Sequence, residues 1–230
     1  MTSRQAISGV LFDAFGTLVR LEPPGPRLRA ELKRLAGIDV TEDAAAAAFR
    51  AEIAYYRDHH LEGSDERSLS ELRDRCAGVL AASLELEGMD RGALREAMLT
   101  SIRFSAHPDA APALRELRTR GLRLIVVSNW DHSLPEVLRE AGLLPLIDGV
   151  VASATVGAAK PDAEPFSAGL ELARSAPAHA LHVGDSLEHD VLGARAAGIH
   201  AVLLERGGGA RGAAAGAPSI RSLEELASVI

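Results

Sequence analysis

The chain has 230 residues, of which 47% are hydrophobic and 25% are charged, and its formal net charge is −7. These values are typical of a soluble globular protein with a sizeable core. A net negative charge argues against nucleic acid or an anionic membrane as the main partner.

The single cysteine, Cys76, excludes an internal disulfide and fits a reducing compartment. The N-terminal residues lack the apolar core and cleavage site of a signal peptide, and no apolar run reaches the ~18 residues of a membrane span. We therefore expect a cytoplasmic protein that is not associated with a membrane.

Short apolar runs rich in Val, Ile and Leu predict five strands. They do not alternate with polar residues, as is typical of parallel strands buried on both faces. Segments with helical periodicity separate the later runs, with Gly at several of their ends. The predicted fold is therefore α/β, an open parallel sheet doubly wound by helices. The strands are predicted over 7–13, 122–129, 149–153, 179–185 and 200–205, and the helices between them over 108–120, 133–142, 163–175 and 187–197.

A long segment after the first strand interrupts this alternation. Residues 20–104 lack a strand pattern and predict an all-helical cap domain over one edge of the sheet, whereas 1–19 and 105–230 form the core domain. The Gly- and Ala-rich segment 206–218 is predicted to be a loop, and it lacks the Gly-Lys-Ser/Thr ending of a nucleotide-binding loop. Within the insert, helices are predicted over 26–36, 41–60, 66–87 and 90–104.

Polar residues follow four of the predicted strands. Asp13 follows the first strand, Ser128 and Asn129 end the second, Lys160 lies in the loop after the third, and Asp185 ends the fourth. Ligands of doubly wound sheets bind at the carboxyl ends of the strands, so these side chains should converge.

This set of side chains suits hydrolysis through a covalent intermediate. A carboxylate can attack an electrophilic centre, while a hydroxyl and an ammonium group bind an anionic substrate. The carboxylates of Asp185 and Asp190 are the oxygen ligands that Mg²⁺ prefers.

The chain contains four motifs whose order and spacing are informative: LFDAFGTLV, VVSN, AAKPD and VGDSLEHD. They are similar to the four motifs of the haloacid dehalogenase superfamily, and the likeness extends from residue 7 to residue 205. The helical insert stands where that superfamily has its alpha-helical C1 cap.

The resemblance implies a role for each matching residue. Asp13 would be the nucleophile, Thr17 and Ser128 would position the transferring group, and Lys160 would pair with Asp13 and with that group. Gly16 would allow a sharp turn after the strand. Gly16 and Asn129 would lie against the substrate.

In metal-dependent members Mg²⁺ is the cofactor. The resemblance implies that Asp13, the backbone carbonyl of Phe15 and Asp185 hold it, with Asp190 contributing nearby or through water.

The sequence departs from the phosphatase pattern at Phe15, which we also expect to contribute to the substrate-binding surface. Phosphatases of this superfamily carry there a second Asp, which protonates the leaving group and then activates water. Phe cannot transfer a proton, and losing such a group costs on the order of 10²–10⁴ in rate.

A halide leaves without a proton, and DAFGT resembles the DAYGT-like motif of the dehalogenases. In those enzymes a cap arginine binds the halide, and Arg50 is the candidate here, although non-dehalogenating relatives share such an arginine. Two features favour a phosphatase instead. The fourth motif keeps its metal-binding acids, and Phe166 replaces a tyrosine that is typical of dehalogenases.

The function predicted first is Mg²⁺-dependent hydrolysis of a small phosphorylated metabolite through an aspartyl-phosphate at Asp13. The second is 2-haloacid dehalogenation by Asp13 and Arg50. The third is a catalytically weak relative that binds a ligand or a partner protein. We expect a small anionic substrate and a monomer or homodimer.

Overall fold

The computed structural model describes residues 6–86, 88–207 and 216–230. The chain divides into two compact units, one formed by Met1–Arg20 with Ser105–Ile230, and the other by Leu21–Phe104. The first is termed the core unit and the second the helical unit. No helix within the described ranges has both the length and the hydropathy that a membrane span requires.

The apolar runs of the core unit form a six-stranded sheet in the order β5-β4-β1-β6-β7-β8. Every neighbouring pair is parallel, and Phe12 at the end of β1 lies between Val126 of β4 and Val183 of β6. The predicted doubly wound parallel sheet is therefore confirmed. The strands are β1 (Gly9–Phe12), β4 (Arg123–Ser128), β5 (Gly149–Ala152), β6 (Ala180–Gly184), β7 (His200–Leu204) and β8 (Ser219–Ile220).

Helices of the core unit cover the sheet. Gly169 of α8 lets that helix pack closely, since a Cβ there would lie 2.6 Å from Leu11 Cδ2 and 2.7 Å from Val127 Cγ2. Phe166, on the same helix, is fully buried in this apolar cluster. The helices are α5 (Ala110–Thr119), α6 (Leu134–Glu140), α7 (Ser153–Val156), α8 (Ala163–Ala173), α9 (Gly193–Ala196) and α10 (Leu226–Val229).

The helical unit consists of four longer helices around a core of Leu, Ala, Phe and Met side chains. Polar side chains cap three of them. For example, Thr41 Oγ1 accepts the Ala44 backbone N–H (3.2 Å), which supplies a partner that the first helical turn otherwise lacks. The helices are α1 (Gly25–Ala36), α2 (Glu42–His59), α3 (Glu66–Ser83) and α4 (Arg91–Ser101).

Some boundaries differ from the sequence-based expectation. The helix predicted over 66–87 ends at Ser83, because Leu84 leaves helical geometry and Glu85 adopts a φ of 56°. Residue 87 and residues 208–215, which belong to the predicted 206–218 loop, lie outside the described residues.

Three short strands were not predicted. The strands β2 (Val19–Leu21) and β3 (Phe104–Ala106) pair where the chain leaves the core unit and returns to it, and β8 has two residues. Segments of two or three residues are too short to show a strand periodicity.

Candidate active site

The carboxyl ends of β5, β4, β1 and β6 lie side by side at one edge of the sheet, because these strands are parallel neighbours. Asp13 directly follows β1, near the centre of this edge. Its backbone N–H donates to the Val183 carbonyl (2.9 Å), so the start of the following loop is fixed to β6. Its side chain is almost completely buried.

One oxygen of the Asp13 carboxylate is held from two sides. Ser128 Oγ and Lys160 Nζ both donate to Oδ1, each at 2.9 Å. Within the described residues no side chain or backbone group donates to Oδ2. Asp13 is therefore oriented through one oxygen, and the other remains for a substrate or a cation.

Lys160 is placed by Asn129 through two reciprocal hydrogen bonds. The Asn129 amide donates to the Lys160 carbonyl (2.9 Å), and the Lys160 N–H donates to Asn129 Oδ1 (2.7 Å). The Asn129 side chain thus holds the backbone of the lysine, and the contact of Asn129 with the substrate stays a prediction.

Asp190 binds the same ammonium group. Lys160 Nζ donates to Asp190 Oδ1 (2.6 Å), and the Ser186 N–H donates to Oδ2 (3.0 Å). Asp190 reaches Lys160 from a π-helical turn at Leu187–Leu192, the first part of the helix predicted over 187–197. The turn packs on the end of β6, where Gly184 is required because a Cβ would lie 2.1 Å from Asp190 Cγ. Both oxygens of Asp190 are thus engaged.

His182 extends this network, and sequence reasoning did not identify it. It lies on β6, is fully buried, and its Nε2 is 2.9 Å from Asp190 Oδ1. Burial lowers the pKa of His182 and outweighs the opposing effect of Asp190, so the ring is neutral near pH 7. Since an ionised carboxylate only accepts, Nε2 carries the proton and donates it. The signal in the sequence was a lone polar residue inside an apolar strand.

Asp185 approaches the loop that follows Asp13. Gly16 has a φ of 82°, and a Cβ at this glycine would lie 2.3 Å from Asp185 Oδ2. Only glycine permits this contact, because it has no Cβ and adopts positive φ without strain. One oxygen from each of Asp13, Asp185 and Asp190 lies within 4.8 Å of the others.

The electrostatics reflect this crowding. Burial, together with the negative charges of Asp13 and Asp190, raises the pKa of Asp185 to about 6. Burial also raises the pKa of Asp13, although Lys160 opposes the shift. Burial favours a raised pKa for Asp190 as well, but Lys160 and His182 outweigh it and hold that pKa well below its usual range.

Lys160 stays protonated in this cluster. Burial lowers its pKa, but the charges of Asp13 and Asp190 outweigh burial and the net pKa is raised. Three carboxylates against one ammonium group leave an excess of negative charge when all are ionised. An excess of closely spaced carboxylate oxygens suits a hard divalent cation.

The remaining predicted residues have other surroundings. Phe15 is 39% exposed and packs edge-on against Trp130, with ring centroids 6.5 Å apart. Thr17 is fully buried, and its hydroxyl has no hydrogen-bond partner within the described residues. Arg50 is exposed on α2 of the helical unit. The structure therefore brings together Asp13, Ser128, Lys160, Asp185 and Asp190.

Comparison with known proteins agrees with this geometry. A family model for haloacid dehalogenase-like hydrolases matches residues 7–198. The chain belongs to this family. The strand-end acids and the lysine of this haloacid dehalogenase-like hydrolase all lie within the matched range.

Relatives of this hydrolase include proteins with phosphatase names. It is 34% identical over 215 residues to human haloacid dehalogenase-like hydrolase domain-containing protein 3, covering 89% of this chain and 84% of the relative. It is 30% identical to phosphatase MT3486 of Mycobacterium tuberculosis, covering 98% and 97%. The solved structure of a HAD phosphatase from Thermococcus onnurineus superposes with a TM-score of 0.66 at 29% identity, covering 97% of each chain. Structures of L-2-haloacid dehalogenases also share this fold, but their sequence identity to this chain is too low to show more than the fold.

Proposed function

We propose that the protein is a Mg²⁺-dependent phosphatase that hydrolyses small phosphorylated metabolites with Asp13 as the nucleophile. The observation that carries this proposal is the cluster of the buried Asp13 and Asp190 with the half-buried Asp185, in which one oxygen of each residue lies within 4.8 Å of the others. The resemblance implies that dehalogenases need no metal ion, so a cluster of carboxylates suited to a divalent cation favours the phosphatase. The names of MT3486 and the Thermococcus phosphatase support the same reaction class.

In the proposed reaction the free oxygen of Asp13 attacks phosphorus. The bond from phosphorus to the leaving oxygen breaks, and the electron pair departs with that oxygen. Water then attacks phosphorus and releases one proton to the solvent, the bond to Asp13 breaks, and inorganic phosphate leaves with the carboxylate regenerated. Ser128 and Lys160 hold Oδ1 throughout and favour the ionised form of the nucleophile.

Asp13, the Phe15 carbonyl and Asp185 would hold Mg²⁺, which, when bound, neutralises charge on the phosphoryl oxygens. Asp190 has a different proposed role. Its oxygens accept hydrogen bonds from Lys160, His182 and the Ser186 backbone. Asp190 therefore positions the lysine and adds a negative charge to the site.

Phe15 determines which leaving groups are favourable. A phenyl ring supplies no proton, so the proton on a departing alkoxide has to come from the substrate, from water or from another residue. The proposal therefore favours phosphate esters whose leaving group is stable as an anion.

Hydrolysis of p-nitrophenyl phosphate with and without Mg²⁺ tests the reaction class, since nitrophenolate leaves without protonation. We expect Mg²⁺-dependent release of phosphate, and loss of that activity to background in Asp13→Asn. The exposed Asp39→Asn on the helical unit is the matched control and should retain full activity. Activity that persists in Asp13→Asn would exclude Asp13 as the nucleophile.

Phe15→Asp tests the missing proton carrier. The variant should increase the hydrolysis of alkyl phosphates by a factor on the order of 10² and that of p-nitrophenyl phosphate far less, because only alkoxides need the proton. An equal change for both substrates would argue against a leaving-group effect.

The aromatic residue at position 15, exposed beside the nucleophile, favours 2-haloacid dehalogenation as the second candidate. Chloride release from 2-chloropropionate, lost in Asp13→Asn and weakened in Arg50→Met, would support it. If neither substrate is hydrolysed and Asp13→Asn changes no measured property, the protein is a binding relative without this chemistry.

A further inference from the structure

Arg206, two residues after the end of β7, holds the loop that follows the proposed nucleophile. Arg206 Nη2 donates to the Thr17 carbonyl (2.7 Å), and its Nε donates to the Gly16 carbonyl (3.3 Å). These carbonyls belong to the segment that begins at Asp13. A residue distant in sequence therefore fixes the backbone of this loop through two hydrogen bonds.

The other side of the guanidinium group is anchored to a carboxylate. Arg206 Nη1 donates to Asp109 Oδ2 (2.8 Å). The same oxygen accepts from Ser222 Oγ (3.0 Å) and from the Leu223 N–H (2.9 Å). Burial favours a raised pKa for Asp109, but Arg206 and these two donors outweigh it, so that pKa is lowered and the group is ionised. Asp109, which anchors the arginine, is thus held in place by two donors of the C-terminal segment.

The held loop has little freedom to move without disturbing the carboxylates. Gly16, with a φ of 82°, is so close to Asp185 that a Cβ would lie 2.3 Å from its Oδ2. On the other side of the loop, the Ala14 N–H donates weakly to Ser128 Oγ (3.4 Å), the hydroxyl that also holds Asp13. A displacement of the Gly16 or Thr17 carbonyl is therefore transmitted to both acids.

We propose that Arg206 is a positioning residue for the hydrolase reaction, which fixes the loop after Asp13 so that the nucleophile stays aligned with Ser128, Lys160 and Asp185. Arg206 touches no reacting atom in this role. A planar guanidinium group is suited to it, because its fork of N–H donors can bind two carbonyls and a carboxylate at once. A lysine has a single nitrogen and cannot reproduce this geometry.

The structure provides a matched control in the same unit. Arg118 Nη1 also donates to a backbone carbonyl, that of Leu146 (3.3 Å), and to a carboxylate, that of Asp148 (3.3 Å). This pair does not involve the loop after Asp13. Arg206→Met and Arg118→Met thus remove comparable contacts with different consequences for the site.

The kinetic experiment compares both variants with the wild type on p-nitrophenyl phosphate and Mg²⁺. We expect kcat to fall by about 10- to 100-fold in Arg206→Met with little change in KM, because small misplacements of reacting groups reduce turnover by such factors. Arg118→Met should keep the wild-type kcat. Arg206→Lys, which keeps the charge and is the safer variant for folding, should lose most of the same activity, and millimolar guanidinium should restore part of it to Arg206→Ala.

This kinetic arm rests on the proposed function, so a second measurement is independent of activity. Hydrogen–deuterium exchange of the peptide containing residues 14–19 should become faster in Arg206→Met and stay unchanged in Arg118→Met. Unchanged exchange in Arg206→Met, or an equal kcat for Arg206→Met and Arg118→Met, would overturn the proposal. If the wild type hydrolyses no phosphate ester, the proposed function fails and the exchange experiment alone decides the role of Arg206.

Discussion

Two buried carboxyl groups, one in each unit, have opposite pKa shifts. Asp190 of the core unit and Glu52 of the helical unit are 1% and 4% exposed. The pKa of Asp190 is lowered, because Lys160 and His182 outweigh burial. The pKa of Glu52 is raised by burial, which the weak Cys76 thiol donor only partly opposes.

The difference shows that burial alone does not determine the charge state of an acid. Asp190 remains ionised because a cation and N–H donors contact it, and the cation, Lys160, also binds Asp13. Glu52 has no cation among its contacts within the described residues, so the neutral form is favoured. Substitutions at the two sites should therefore change the free energy of unfolding in opposite directions.

Lys160→Met should have the largest effect. It leaves Asp13 and Asp190 buried without their cation, and breaking such a pair costs about 3–5 kcal/mol in the free energy of unfolding. Phosphatase activity should fall to background. Urea unfolding followed by circular dichroism measures the stability.

The double variant Lys160→Met/Asp190→Asn is the control. Removing the unpaired charge should recover part of the stability but no activity. If the double variant is no more stable than Lys160→Met, an unpaired buried charge is not the cause of the loss.

His182→Leu should have an intermediate effect. Asp190 Oδ1 loses one of its two donors and keeps Lys160, and a hydrogen bond to a charged group contributes about 1.5–3 kcal/mol to the free energy of unfolding. We also expect a lower kcat, since Asp190 then orients Lys160 less tightly. His179→Leu changes a partly exposed histidine that binds the Ala6 carbonyl, and it should leave kcat unchanged. Equal kcat values for both variants would contradict this role of His182.

Glu52→Gln should have the smallest effect, and in the stabilising direction. The folded state binds the Glu52 proton more tightly than the unfolded state, so ionisation costs stability above the folded pKa. The variant should be more stable by about 1 kcal/mol at neutral pH. This advantage should shrink as the pH falls through the folded pKa toward the unfolded value.

Glu71→Gln on α3 is the control for that experiment. Glu71 is exposed and pairs with the exposed Arg67, an interaction worth less than about 1 kcal/mol. Glu71→Gln should therefore change the free energy of unfolding by less than about 1 kcal/mol and in the destabilising direction. A Glu52→Gln advantage that persists unchanged at acidic pH would show that a packing change, and not ionisation, is responsible.

The sequence by itself determined five of the six strands of the sheet and the position of the site along the chain. Runs such as 122–129 and 179–185 are mostly apolar and do not alternate with polar residues. This pattern is typical of strands that are buried on both faces. Since parallel strands end at one edge, Asp13, Ser128 and Asp185 had to lie near one another. The motifs also determined the family, and the comparison confirmed it.

Only the tertiary structure decided how the polar groups are partnered. Asn129 holds the backbone of Lys160, His182 binds Asp190, and Arg206 holds the carbonyls of the loop after Asp13. These hydrogen bonds join segments that are far apart in sequence or depend on the π-helical turn, and periodicity carries no information about either. Hydrogen-bond partners follow from distances of about 3 Å, which only the packed backbone fixes.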